Sequence, residues 1–324
     1  MFLRNKWWAI AESNTIRNKP VGLRRLGEDI VLWRNQEGKI ICQRSQCPHR
    51  GANLALGRVV DGCIECPYHG FRFATQGHCT LMPCEGKDTH ISPEMRVKTY
   101  VVREAHDLIW LWWGDNQLDY PSIPWFDELR DRPVRWASGT MQWNVPYTRA
   151  VESLLIDIHH AAFVHQGFAK LSGFGSATLL DPFEVKLDGE MISSWGQLRP
   201  ETANSTQKGV FTFQHWLYFP SLALFDFGFG GIKLFAIAIP IDEENTWAYA
   251  RYYIPFGTAW ISRLLSRVAL WLEFTFIQPD DYRIILSSKP RQSGLNANKF
   301  VRADKVIVLW HKLYENYESR ANTE

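Results

Sequence analysis

Cys47-Pro48-His49-Arg50-Gly51 and Cys66-Pro67-Tyr68-His69-Gly70 each offer one thiol and one imidazole, with sixteen residues between His49 and Cys66. Two Cys and two His form a possible zinc set. Zinc sites, however, usually group Cys with Cys and His with His. A mixed pair from each loop suits an asymmetric [2Fe–2S] cluster, with thiolates on one iron and imidazoles on the other. Neutral imidazole in place of thiolate removes negative charge and raises the potential above that of an all-Cys cluster.

The stretches Cys47-Pro48-His49-Arg50-Gly51-Ala52 and Cys66-Pro67-Tyr68-His69-Gly70-Phe71-Arg72-Phe73 match the Rieske motif almost letter for letter. Asn5–Ala11 resembles that family's opening strand, and Leu108–Asp115 the strand that closes its Rieske domain. Over most of its length the chain resembles the terminal oxygenase (alpha-subunit) component of Rieske non-haem iron oxygenases. Within that family it looks like the vanillate O-demethylase and pheophorbide a oxygenase-like branch. The resemblance implies an α+β protein. An all-β Rieske [2Fe–2S] domain would span 1–115, and a helix-grip, START-like catalytic domain with an antiparallel sheet would span 116–324. It also implies Cys47, His49, Cys66 and His69 as cluster ligands.

A second constellation is Asp157-Ile158-His159-His160-Ala161-Ala162-Phe163-Val164-His165, which fits D-x₂-H-x₄-H. In the family two such His and a distant carboxylate hold one ferrous ion with positions left open for O₂ and substrate. Residues three apart share a helix face, so Asp157 and His160 sit together; His160 and His165 lie about 140° apart. The two His converge only if the helix ends, bulges or bends between them. A distortion is expected around Ala162–Val164 in a helix over 150–166. Gln278-Pro279-Asp280-Asp281-Tyr282-Arg283-Ile284-Ile285 resembles the family's third-ligand region, in a register that selects Asp281 with Asp280 as competitor. Pro279 would kink the helix before it. In the family the position of Asp157 is a bridge: it hydrogen-bonds the first iron His and reaches a Rieske His of a neighbouring subunit. That implies a head-to-tail homotrimer. Many relatives carry Asn three or four residues before this Asp, where Ser153 and Leu154 stand here. His159 reads as a packing or outer residue.

The chain has 324 residues and a formal net charge of +2, which argues for neither nucleic acid nor membrane as a partner. Two of six cysteines are taken by the cluster motif; Cys63 reads as packing. Ala52 and Tyr68 occupy positions where high-potential Rieske proteins carry an extra disulfide, so a reducing cytoplasm is expected. Met1–Asn5 runs into a predicted strand with no secretory or transit signal. The longest apolar stretch, Thr258–Ile277, contains Arg263, Arg267 and Glu273 and reads as amphipathic rather than spanning; contact with a membrane surface stays open.

Strands are expected at Phe183–Leu187, Met191–Trp195, Phe211–Phe219, Ile232–Ile239 and Thr246–Ile254. Helices are expected at 150–166, 258–287 and 301–317, and a linker over Asp115–Pro124. Gly228-Phe229-Gly230-Gly231 reads as a hairpin turn, since no dinucleotide-binding helix follows. With no flavin or nicotinamide motif, electrons would come from a separate ferredoxin or reductase. Arg44, Arg50, Arg58 and Arg72 are candidates to dock it. Expected cofactors are one [2Fe–2S] cluster and one mononuclear Fe(II). The expected reaction is O₂-dependent hydroxylation or oxidative demethylation of an apolar, aromatic or cyclic small molecule, with Phe213, His215, Phe225 and Phe227 as pocket candidates. The alternatives are arene cis-dihydroxylation, an electron-transfer protein fused to a ligand-binding domain, and a zinc-stabilised binding module.

Overall fold

A computed structural model describes residues 2–86, 89–130, 136–165, 177–201 and 210–321. The chain divides into two compact units, Met1–Ile123 and Pro124–Glu324. The division falls between Ile123 and Pro124, at the end of the stretch Asp115–Pro124 that reads as a linker. That stretch stays with the first unit because Trp7 Nε1 donates to Pro121 O at 2.8 Å and Trp112 Nε1 to Asp115 O at 2.8 Å.

The first unit is all β. The expected opening and closing strands, Lys6–Glu12 and Leu108–Trp113, pair antiparallel, and Val102–Ala105 adds a third strand. Their runs of Trp, Ile and Leu are buried along nearly the whole strand, as aromatic and branched side chains favour. A four-stranded sheet orders Val21–Arg25, Glu28–Arg34, Ile40–Arg44 and Thr99–Tyr100. Another orders Arg58–Val60, Cys63–Glu65, Arg72–Phe73 and Cys79–Leu81. The cluster loops follow Ile40–Arg44 and Cys63–Glu65, so each starts from the end of an interior strand.

The second unit is built on a seven-stranded antiparallel sheet. Its order is Trp136–Trp143, Thr246–Tyr253, Lys233–Pro240, Leu222–Asp226, Phe211–Tyr218, Met191–Arg199, Leu179–Asp188. Thus a meander of six strands gains the first strand of the unit beside its last. Two strands, Trp136–Trp143 and Leu222–Asp226, lie outside the set expected from sequence. Gly228–Gly231 does connect two antiparallel neighbours.

The helical segments differ from expectation in an instructive way. The region 150–166 is not one helix. Tyr147–Val151 is α-helical, Glu152–Ile156 is a π-turn, Asp157 is extended (φ −70, ψ 126), and Ala161–Val164 is a separate short helix. The expected distortion therefore lies upstream of Ala162–Val164, which is itself regular. The region 258–287 is likewise broken: Ala259–Leu272, a π-turn over Glu273–Ile277, then Gln278–Ser287. Pro279, which has no N–H to donate, comes directly after this π-turn. Lys305–Ala321 closes the described chain.

These segments are fixed to the sheet. Tyr147 Oη and Trp310 Nε1 both donate to Pro220 O, at 2.7 and 3.0 Å. Buried Glu152 accepts from Arg149 Nη1 at 2.7 Å and lies 2.7 Å from His311 Nε2. At Gly139 a Cβ would meet Phe274 at 2.6 Å and Leu270 at 3.2 Å, so only glycine lets the long helix approach the edge strand this closely. Trp310, fully buried, ties the last helix to this frame. Trp310→Ala is expected to lower unfolding free energy by about 3–5 kcal/mol in urea titrations, with native visible absorbance from the first unit unchanged.

Candidate metal centres

The two cluster loops are built alike. Cys47 N donates to Ala52 O at 2.9 Å and Gly51 N to Cys47 O at 2.8 Å; Cys66 N donates to Phe71 O at 2.8 Å and Gly70 N to Cys66 O at 3.1 Å. Each turn closes on a glycine at φ near +70°, a backbone region that costs glycine little. The repeated geometry sinks both thiols into an apolar core with Val31, Trp33, Leu54, Ile64, Phe71 and Phe73. Both imidazoles stay outside: His49 is exposed and His69 half-buried. Their ring centroids are 4.8 Å apart, with Phe71 stacked on His49 and Tyr68 on His69. Burial, together with the adjacent Cys66 thiol, pushes the Cys47 thiol up to about 11. The thiolate form needs a cation beside it, which is what a metal supplies. Soft sulfur inside and imidazole at the surface fit an asymmetric iron–sulfur cluster.

In the second unit His160, His165 and Asp281 converge. His160 Nε2 lies 3.3 Å from His165 Nε2, and each lies 3.2 Å from Asp281 Oδ1. His160 precedes the helix Ala161–Val164 and His165 comes after it, with φ −98 and ψ 47. Both side chains turn inward because neither belongs to a continuous helix. An ion about 2.1 Å from all three atoms fits this triangle with angles near 100°, leaving its far side open. Asp280 does not compete: its carboxylate is 43% exposed and lies 3.9 Å from the opposite nitrogen, His165 Nδ1.

The charges are matched to a cation. Burial opposes the charged His160 imidazole, but Asp157 and Asp281 outweigh it and push its pKa up to about 10. Burial would raise Asp281, but His160 and His165 hold it below the usual carboxylate range. Asp157 is treated likewise: its burial is outweighed by His159 and His160, which hold it far down. Asp157 Oδ2 lies 3.4 Å from His160 Nδ1, and its Oδ1 lies 2.9 Å from His159 Nδ1. His159 is thus Asp157's tighter partner, and its other nitrogen is 3.8 Å from Asp304.

A small cavity lies between sheet and helix. Leu154, Ala236, Ala248, Ala250 and Phe274 line it, with Glu273 and Gln278 as its polar end. Gln278 Nε2 donates to Glu273 Oε1 at 2.8 Å and Tyr252 Oη to Glu273 Oε2 at 2.7 Å. Burial, with help from Asp281, holds the Glu273 carboxyl above its usual range. Gln278 Oε1 is buried with no partner.

Phe213, His215, Phe225 and Phe227, the pocket candidates from sequence, are not among the residues lining this cavity. His215 is fully buried, stacked on Phe225 at 4.6 Å and 3.3 Å from Ser194 Oγ; burial pushes it down to about 4. Sequence reasoning missed Glu273 and Gln278 as site residues. A glutamate inside the longest apolar run was the available signal. The loop arginines are not equivalent either. Arg58 and Arg72 both donate to Glu65, at 2.7 and 2.8 Å, and Arg44 lies 3.8 Å from Glu28. Arg50 instead sits over the Tyr68 ring at 5.8 Å.

The Rieske [2Fe–2S] domain family matches residues 6–101. The vanillate O-demethylase oxygenase subunit of Pseudomonas sp. (strain HR199 / DSM 7063) is 35% identical over 195 residues, 59% of this chain and 52% of that protein. The oxygenase component of dicamba O-demethylase from Stenotrophomonas maltophilia is 33% identical over 174 residues, 53% of this chain and 50% of that one. The chain thus spans about half the length of these curated relatives. The crystal structure of dicamba monooxygenase bound to dicamba superposes with a TM-score of 0.82 at 22% identity, covering 100% of this chain and 99% of that one. Residues 6–101 thus belong to the Rieske [2Fe–2S] domain family, and the chain as a whole shares the fold of dicamba monooxygenase.

Proposed function

We propose that the chain is the oxygenase component of a Rieske non-haem iron system. In this reading Cys47, His49, Cys66 and His69 hold a [2Fe–2S] cluster, and His160, His165 and Asp281 hold one ferrous ion. The product is a hydroxylated or oxidatively demethylated apolar, aromatic or cyclic small molecule. The observation that carries the reading is the triangle of three ligand atoms spaced 3.2–3.3 Å. Two histidines and a carboxylate suit ferrous iron or catalytic zinc; a chain that also carries a one-electron centre favours the redox-active ion. When bound, the cluster supplies single electrons and the ferrous ion supplies oxygen activation.

The chain's own residues do the rest. Asp157 Oδ2, 3.4 Å from His160 Nδ1, would orient that imidazole and raise the ligand strength of its opposite nitrogen. In a head-to-tail trimer, part of the same proposal, Asp157 also connects His160 to a cluster histidine of the neighbouring subunit. Leu154, the alanines and Phe274 give this end of the cavity an apolar wall that excludes water. Leu154 stands near where many relatives carry Asn, so this wall is less polar here. Relatives named for demethylation of vanillate and dicamba favour demethylation or monooxygenation over ring dihydroxylation. The sequence has no flavin or nicotinamide motif, so electrons come from a separate ferredoxin or reductase.

Iron and acid-labile sulfide on anaerobically purified protein test the assignment. A ratio near three iron to two sulfide is expected. His160→Ala and Asp281→Ala are each expected to give about two to two with an unchanged cluster spectrum. Two to two in the parent protein after Fe(II) reconstitution contradicts the reading and leaves an electron carrier. Asp157→Asn is expected to keep the metal content yet lower turnover by about 10- to 100-fold. Full turnover in that variant removes Asp157 from the electron path.

A further inference from the structure

The helix Ala259–Leu272 packs the reverse of an ordinary helix on a sheet. Its buried residues are Ser262 and Ser266. Their hydroxyls donate to Ile254 O at 2.6 Å and to Ser262 O at 2.9 Å. Its large apolar side chains face outward: Trp260 is 72% and Trp271 58% exposed, and Ile261, Leu264, Leu265 and Val268 are exposed between them. At about 100° per residue these six cover an arc of roughly 140° on the side away from the serines. Arg263 and Arg267 line one edge of that arc, and the helix contains no acidic residue. Beyond its end Phe276, also exposed, sits edge-on to Trp271 at 5.6 Å and extends the patch.

We propose that this helix docks on a lipid bilayer with anionic headgroups, lying in the plane of the interface. No helix among the described residues is long and apolar enough to cross a membrane, so the face is a surface and not a span. Three features select this occupant. A continuous exposed apolar patch needs a cover. Tryptophan at both ends of a ridge about 17 Å long suits the headgroup level, where an indole is half in lipid and half in water. The flanking charges are both positive, which matches anionic lipid and lets the arginine stems reach from apolar surface to phosphate. A protein partner would need a matching groove for a convex ridge, and an acidic one.

Flotation of the full-length, metal-loaded protein with vesicles tests this. Vesicles of phosphatidylglycerol and phosphatidylcholine are compared with phosphatidylcholine alone. Binding to the anionic vesicles is expected, weakening with salt. Arg263→Gln and Arg267→Gln are each expected to weaken it about fivefold, and Trp260→Gln/Trp271→Gln to abolish it with an unchanged circular dichroism spectrum. Absence of binding to either vesicle, or binding that the double tryptophan variant retains, overturns the proposal. So does sedimentation showing that the parent protein assembles through this face, with the assembly lost in that variant and no vesicle binding by either; the ridge would then be a contact between copies. None of these outcomes depends on the iron assignment.

Discussion

Three polar ligand atoms held 3.2–3.3 Å apart inside a protein are the constraint around which the second unit is organised. Lone pairs of two imidazoles and a carboxylate repel unless a cation stands between them. Asp157 and Asp281 favour a positive charge at His160. A divalent ion meets the same demand with three bonds. The cost of gathering these groups has to be met by the surrounding frame, which explains why so much of that frame is buried and hydrogen-bonded.

The frame uses one device twice. Each ligand-bearing segment departs from the α-helix through a π-turn that begins with a buried glutamate, Glu152 in one and Glu273 in the other. In each, the N–H five residues on closes the turn on that glutamate's carbonyl: Asp157 on Glu152, and Gln278 on Glu273. The wider turn rotates the next residues relative to a regular helix. Asp157 then leaves the helix altogether, and Asp281 faces inward one turn beyond Gln278. The glutamate side chains hold the turns in place. Glu152 is held by Arg149 and His311, and Glu273 by Tyr252 and Gln278. Glu273 and Gln278 also form the polar end of the cavity, so the device that aims the carboxylate also shapes the pocket.

The candidate metal-binding residues are legible in the sequence because they sit in short, contiguous motifs. Cys47 to Gly51 and Cys66 to Gly70 hold ligand and turn glycine together, and His160 and His165 are one short segment apart. Asp281 came from register, and the geometry separates it from Asp280. The illegible parts depend on contacts distant in sequence. Trp136–Trp143 carries Ser138 and Gly139, which weaken its strand preference. Its pairing along the whole of Thr246–Tyr253 outweighs that weakness, and Gly139 is there to admit Phe274. The π-turns have no residue signature of their own, so the break was expected at Ala162–Val164 instead of before His160. The phenylalanines around His215 stack on one another within the sheet, an arrangement that composition cannot single out.

The central claim is that a single ion sits on His160, His165 and Asp281, apart from the cluster. Mössbauer spectroscopy of isotopically enriched, anaerobic protein tests it most directly, because each iron contributes its own signal. The account predicts a high-spin ferrous component of about one third of the iron beside the cluster pair, absent from Asp281→Ala. A spectrum containing only the cluster pair, unchanged after Fe(II) is supplied, would contradict it.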